Sequence, residues 1–406
     1  MSNTLLTIDM ITRESLRVLH GQLSFVKNVN RDYDDEFAKT GAKIGATLRV
    51  RKPNKYTVRT GRVMDVQDFT EQKVDLTVAT QKGVDMNFTS EELTLKLDDF
   101  SSRVIKPAMS VLAANIDYDA LSMTYDVANS VGTPGTTPAT AQVWLDAGAR
   151  LDDELAPRDG ERTAILSPTA MARTVDGLKG LLEPGDAIAD QYRGGVMKRA
   201  LDFKWAIDQN ARNLTTGTNT NRTVTCDLAA GVTTGDTTLS IDGLSGATVT
   251  ITRSEVLTIA GCYAVNDETK QALPYLKQFV VTATSTGSGS AITNLPISPT
   301  IYGPTSGALQ NVSVLPSSGD DLVFYGTTTS TVYPQNLVFH RDAFTFVTAD
   351  LTMPRAAQQA SRKVMDGISM RIWQGDDIIN DQFPCRVDVL YGFVATYPQL
   401  ACRVWG

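Results

Sequence analysis

Apolar and polar positions change their spacing several times along the chain, and each change marks a different kind of structure. The mixed run from Asp9 to Leu23 predicts a short helix. A polar patch at Arg31–Glu36 follows, and Gly41 and Gly45 break what comes next, so residues 1–45 read as an arm rather than a core. Thr47–Arg51, Lys73–Val78 and Val84–Phe88 then alternate with a period of two, which predicts half-exposed strands. Between them lies a basic tract, Arg49, Arg51, Lys52, Lys55, Arg59 and Arg62, with no acid before Asp65. The simplest reading of 46–88 is a long two-stranded ribbon. An isolated ribbon is barely stable in water, so this one needs a surface to lie on.

Spacing turns helical after residue 88. Thr89-Ser90-Glu91-Glu92 has the form of a capping box. Ile105, Met109, Leu112, Ile116, Ala120, Met123 and Val127 recur every three or four positions, which predicts one apolar face on a helix of about six turns. Pro107 sits near its start, and the loop Ser130–Gly135 ends the segment.

Residues 137–213 read as α/β: a helix over 139–154, a strand at Arg162–Leu166, then Ser167-Pro168 as N-cap and first helical residue of another helix. From 214 to 316 Thr, Ser and Gly dominate, and no charge occurs between Gln278 and Gly319. So little charge also suits a disordered linker. The regular alternation at Thr238–Ile241, Ala247–Ile251, Val256–Ala260 and Gln278–Thr282 favours a folded all-β module, a small barrel, placed inside an α/β chain. After it, Asn336–His340 and Pro384–Tyr391 are strand candidates, and the apolar end Arg403–Gly406 is expected to be tied into a sheet.

Composition narrows the chemistry. The chain has 406 residues and a net charge of −7, so it is not a basic protein that wraps nucleic acid. It has two histidines, His20 and His340, each on an apolar-patterned segment where a structural role is expected. No Ser-His-Asp or Cys-His site, phosphate loop or metal-ligand spacing is visible, so no enzyme, metal or cofactor is expected. Cys226, Cys262, Cys385 and Cys402 form no C-x-x-C pair and are expected as buried reduced thiols. The start of the chain lacks signal-peptide character and no stretch reaches membrane-helix length, so no membrane contact is expected. Acidic clusters at Asp34–Glu36, Asp98-Asp99, Asp117 with Asp119, Asp152–Glu154 and Asp376-Asp377 are expected to be solvated or at interfaces. The basic tract holds one aromatic, Tyr56, and so lacks a stacking platform for nucleic acid. Pairing with acidic patches on a neighbouring subunit suits it at least as well.

The order of these parts resembles the major capsid protein fold of tailed double-stranded DNA phages, shared with the herpesvirus capsid floor. Four stretches are similar to the P-twenty-two-like coat proteins of short-tailed phages. They are Asp186–Gly195 with Arg199 and Asp202-Phe203; Val256–Gly261 with Ala264-Val265-Asn266 and Thr269-Lys270-Gln271; Phe339–Phe344 with Asp350-Leu351 and Pro354; and Ser369-Met370-Arg371 with Arg386–Gly392. The resemblance covers about residues 90–406; the first 45 match only in general character.

It implies an α+β chain with an N-terminal arm (1–45), an extended ribbon loop (46–88), a peripheral domain with a spine helix (89–134), an axial domain in two parts (135–213 and 317–376), an inserted β-barrel domain (214–316) and closing peripheral strands (377–406). In function it implies a shell subunit that forms pentamers and hexamers on a scaffolding protein in the host cytoplasm and expands when DNA is packaged. The other expected partners are a portal protein, decoration proteins and encapsidated double-stranded DNA by non-specific proximity. No residue pair identifies a covalent cross-link. The acidic net charge suits a shell that must release its DNA, since each basic contact strengthens binding by counterion release. Two other readings remain: a cellular nanocompartment of the same fold, which the inserted module disfavours, and a phage adhesin or sugar-binding protein, which leaves ribbon and spine helix unused.

Overall fold

The computed structural model describes residues 8–32, 46–64, 66–67, 71–89, 101–178, 199–227, 232–246, 248–353, 359–375 and 382–405. Four α-helices are described: α1 (Ile8–Gln22), α2 (Lys106–Ala120), α3 (Ala141–Asp153) and α4 (Pro168–Leu178). The strands are β1 (Ala46–Arg51), β2 (Lys73–Val78), β3 (Thr80–Thr89), β4 (Ser130–Val131), β5 (Arg162–Leu166), β6 (Arg199–Ala200), β7 (Phe203–Ile207) and β8 (Asn213–Thr215). They continue with β9 (Thr223–Cys226), β10 (Asp236–Asp242), β11 (Thr248–Ile251), β12 (Val256–Val265), β13 (Ala272–Val281), β14 (Ser285–Ser288), β15 (Ile292–Ile301) and β16 (Asp321–Phe324). The last are β17 (Val332–Pro334), β18 (Asn336–His340), β19 (Thr345–Ala349), β20 (Gln359–Met365), β21 (Ile368–Gln374), β22 (Gln382–Val394) and β23 (Ala401–Val404). Tyr33–Glu36, Gly41, Gly45, Asp65, Ser90–Glu92, Asp98-Asp99, Asp186–Gly195, Pro354 and Asp376-Asp377 lie outside the described residues.

The chain divides into two compact units, one of Met1–Val50, Lys73–Leu121 and Phe344–Thr396, the other of Arg51–Gln72, Ser122–Ala343 and Tyr397–Gly406. The first is organised by β22, which pairs with β3, β19 and β21, with β20 at the edge beyond β21. Register with β3 runs unbroken from Gln382 opposite Thr89 to Tyr391 opposite Thr80. Gly83 permits this approach, because a Cβ there would lie 2.2 Å from the Val387 carbonyl oxygen. Val50, Leu76, Val78, Val347, Ala349, Leu351 and Leu390 form an apolar core cluster. Asp117, buried on α2, accepts the backbone N–H groups of Ser24 (2.6 Å) and Val26 (3.0 Å), so it caps the turn that follows α1. His20 and Arg31 both reach the Asp366 carboxylate, at 2.8 Å each.

In the second unit a six-stranded sheet, ordered β4-β23-β18-β5-β7-β6, packs against α3 through Trp144, Ala147 and Leu151. Ser167 caps α4, its Oγ accepting the Ala170 N–H at 3.3 Å, with Pro168 as the first helical residue. The Thr/Ser/Gly-rich stretch forms a closed barrel ordered β10-β15-β13-β12-β16-β9. Its interior is filled by alternate residues, among them Leu239, Ile241, Leu257, Ile259, Phe279, Val281, Leu322 and Phe324. The chain enters and leaves this part through a paired stem, with Leu214 of β8 opposite Tyr333 of β17.

The barrel is bolted to the rest of this unit. The Gln278 amide mimics a strand, accepting from the Ser130 N–H at 2.7 Å and donating to the Ser130 carbonyl at 2.9 Å. Lys277 pairs with Glu154 at 2.9 Å, and the Arg150 guanidinium lies 3.6 Å from the centre of the Tyr275 ring. Arg403, fully buried on β23, donates to the Ser254 carbonyl (2.7 Å) and to the Val127 carbonyl.

Four expectations are redrawn. β3 is not an arm of the ribbon: β1 pairs with β2, no strand is described between Lys52 and Gln72, and β3 joins β22. Alternation marks a strand but does not name its partner. The barrel strands run past residue 316 to Phe324, because Asp321 faces out while Leu322 and Phe324 face in. The predicted six-turn helix is α-helical only to Ala120 and then tightens into a 3-10 turn over Leu121–Asp126. Of the closing strands, β22 organises the first unit, whereas β23 lies in the six-stranded sheet between β4 and β18.

Candidate functional site

The spine-helix positions are all buried: Ile105, Met109, Leu112 and Ile116 in the first unit, and Met123 and Val127 in the second. They build core and offer no surface. The basic residues lie on β1 and on the loop after it, and most of them are engaged within the chain. Arg49 faces Asp75 at 3.9 Å, and Arg51 faces Glu71 at 3.6 Å. The Lys52 ammonium lies 5.3 Å from the centre of the Tyr397 ring, while its N–H donates to the Gln72 carbonyl at 2.8 Å. Burial, aided by the charge of Lys55, pulls the pKa of Lys52 down. Lys55 pairs with Asp267 at 2.6 Å. Arg59 donates to the carbonyls of Gly61 and, at 3.1 Å, Val63, so it shapes the loop itself. Arg62 is exposed.

Beyond Lys55 the loop is closed by a side chain acting as a strand. The Gln67 amide accepts from the Thr57 N–H at 2.8 Å and donates to the Thr57 carbonyl at 2.6 Å. The tip then exposes large apolar residues: Tyr56 (62%), Val58 (95%), Val63 (85%), Met64 (77%) and Val66 (73%). Reading the tract for charge passed over these residues. The signal was Tyr56-x-Val58 and Val63-Met64-x-Val66, an apolar content that a solvated loop does not need. Side chains this exposed add little to the stability of the subunit by burial.

Among the described residues, His340 and several acidic side chains are engaged in contacts within the chain. His340 is buried in β18; its Nδ1 accepts the Asp342 N–H (3.3 Å), which leaves Nε2 to donate to Asp159 (3.1 Å). The acidic residues Asp117, Asp119, Asp152 and Glu154 are not simply solvated. Asp117 caps a turn, Asp119 accepts from Lys82 (2.7 Å) and Tyr391 (2.5 Å), Asp152 holds Arg162 (2.7 Å) and Glu154 holds Lys277 (2.9 Å). The four cysteines are buried and free, as expected, and burial pushes their thiols up to about 12. Among the described residues no group of three or more His, Cys, Asp or Glu is placed to hold a metal ion, and no helix is long and apolar enough to cross a membrane.

No curated protein matches the sequence. Among solved structures, the chain is similar to one from Mycobacterium phage Che8 at 12% identity and a TM-score of 0.45, with 94% of this chain and 90% of that one covered. A chain from the capsid of Ralstonia phage GP4 shows 8% identity and a TM-score of 0.45, covering 100% of this chain and 94% of that one. Residues 3–404 fit the family described as P22 coat protein, gene protein 5, and the chain therefore belongs to the P22 coat protein family.

Proposed function

We propose that this coat protein is the major capsid protein of a tailed double-stranded DNA phage. It self-assembles as pentamers and hexamers that tile an icosahedral shell, by way of a scaffold-assisted procapsid that expands as DNA is packaged. Assembly takes place in the host cytoplasm, with a portal protein and decoration proteins as further partners, and DNA is enclosed by non-specific proximity. The role is structural, not catalytic.

The observation that carries this reading is the apolar tip of the loop after β1. Covering a Val or Met side chain stabilises a contact by about 1.5–3 kcal/mol. Four such residues suffice for a subunit contact that repeats throughout a shell, which is also the role proposed for Arg62 and its basic neighbours. In this reading the six-stranded sheet unit meets its copies at capsomer centres and the β22 sheet forms the periphery. The barrel, as an inserted domain, stabilises the subunit and bridges neighbouring capsomers.

The test replaces Val58, Val63 and Val66 by Ser and Met64 by Gln together. The expected result is a subunit with unchanged unfolding and no closed shells, because surface substitutions of this kind shift stability by no more than about 0.5 kcal/mol. Closed shells at wild-type yield would remove the basis of the proposal.

A further inference from the structure

We infer that Asp267 is a positioning residue for the extended loop: it is the anchor on the barrel hairpin that Lys55 grips, so the barrel sets how a subunit presents its apolar tip to a second copy. The inference rests on the assembly role proposed above.

Asp267 sits in the turn between β12 and β13, and that turn is stiff. The Asn266 Oδ1 accepts the N–H groups of Glu268 (3.0 Å) and Thr269 (2.9 Å), and the Lys270 N–H donates to the Asn266 carbonyl (3.0 Å). Its carboxylate is therefore offered from a fixed place on a closed barrel. Burial works to raise the carboxyl, but Lys55 and Lys270 together hold its pKa below the ordinary value. Lys270, at 3.2 Å from the same oxygen, already supplies the hairpin with a cation of its own. The hairpin has no structural need for Lys55. The loop, by contrast, is fixed by it: Lys55 immediately precedes Tyr56, the first exposed apolar residue, and the Thr57–Gln67 closure follows at once. Lys52 over Tyr397 and Lys55 on Asp267 are two successive footholds, after which the tip begins.

The test uses the full-length unassembled chain as wild type, Lys55→Gln, Asp267→Asn and the double variant, read by amide hydrogen exchange. A half-exposed ion pair of this kind holds an equilibrium by a factor of about two to five. Exchange over residues 52–58 should accelerate by that factor in each single variant and no further in the double, since both changes break one contact. Exchange of β12 and β13 in Lys55→Gln should match wild type, which separates loss of the latch from loss of the hairpin. Unchanged loop exchange in Lys55→Gln, or effects that multiply in the double variant, overturns the latch. In assembly with a scaffolding protein both single variants should give fewer closed shells than wild type, and wild-type yields from both overturn the positioning role. Failure of the wild-type chain itself to form shells strikes the assembly reading instead, while the exchange result still decides the latch.

Discussion

Replacing Arg222 by Met should destabilise the barrel far more than its place just before the short strand β9 suggests. Glu255 is wholly buried at the turn before β12, and its two oxygens are used differently. Oε1 accepts from the Gly217 N–H (2.9 Å), the Thr252 N–H (2.8 Å) and the Thr252 hydroxyl (3.0 Å), whereas Oε2 is held by the Arg222 guanidinium at 2.5 Å. In Arg222→Met the negative charge stays buried without its cation, and the Gly326 and Tyr325 carbonyls lose the donor they share. Breaking a buried pair from one side costs about 3–5 kcal/mol. Glu255→Gln breaks the pair from the other side: if the amide oxygen keeps the Oε1 partners, the NH2 faces the guanidinium, donor against donor, so the loss should again be about 3–5 kcal/mol although Arg222 keeps both carbonyls and the Phe324 ring at 5.0 Å. The double variant leaves no orphaned charge, so its loss should fall short of the summed single losses by about 2 kcal/mol. Urea unfolding at neutral pH, followed by circular dichroism, with amide exchange of β12 and β13 for the barrel, measures all three. An Arg222→Met variant within about 0.5 kcal/mol of wild type, or additive singles, would refute this account of how the barrel's root is held.

Other outcomes follow from the same structure. Asp388 lies between Arg371 (2.6 Å) and Arg386 (3.0 Å); burial works to raise its pKa, but the two guanidiniums hold it below the ordinary carboxylate value. The stability it contributes is present above the unfolded carboxyl pKa of about 3.9 and is lost as pH falls through the lower folded value. Asp388→Asn should therefore cost about 2–4 kcal/mol at neutral pH, with the deficit closing in unfolding measured toward pH 3, and a deficit independent of pH would count against the pairing. Gly83→Ala should cost about 2 kcal/mol or more by thermal unfolding, since its Cβ meets the Val387 carbonyl oxygen at 2.2 Å and backbone must move. Replacing 217–330 by a short turn joining β8 to β17 should lower solubility and stability, because it strips the Ser254 carbonyl from Arg403 and the Gln278 amide from Ser130. A fully soluble, assembly-competent deletion would refute the barrel's stabilising role.

Local pattern was legible where geometry is local. Alternation found β1, β2, β10 and β12, and Ser167-Pro168 announced the start of α4, because period and capping depend on neighbours in sequence. Pairing was not legible. β3 alternates as β2 does, and its partner β22 lies some three hundred residues on, with the close approach permitted at Gly83. The barrel was visible in composition, yet its last strand was missed because Asp320 and Asp321 look like the start of a new segment. The basic tract was visible as charge. What it does was not, because Tyr397 and Asp267, which engage Lys52 and Lys55, are remote in sequence. The resemblance to phage coat proteins, carried by short stretches in a shared order, is borne out by the family match over residues 3–404.

Assembly of copies of this chain into a closed shell can be tested directly. The most direct measurement is to produce the chain alone and together with a scaffolding protein, then examine both by sedimentation and negative-stain microscopy. Closed icosahedral particles with pentamers and hexamers are expected in the scaffolded preparation; monomers and small oligomers under both conditions would contradict assembly into a shell.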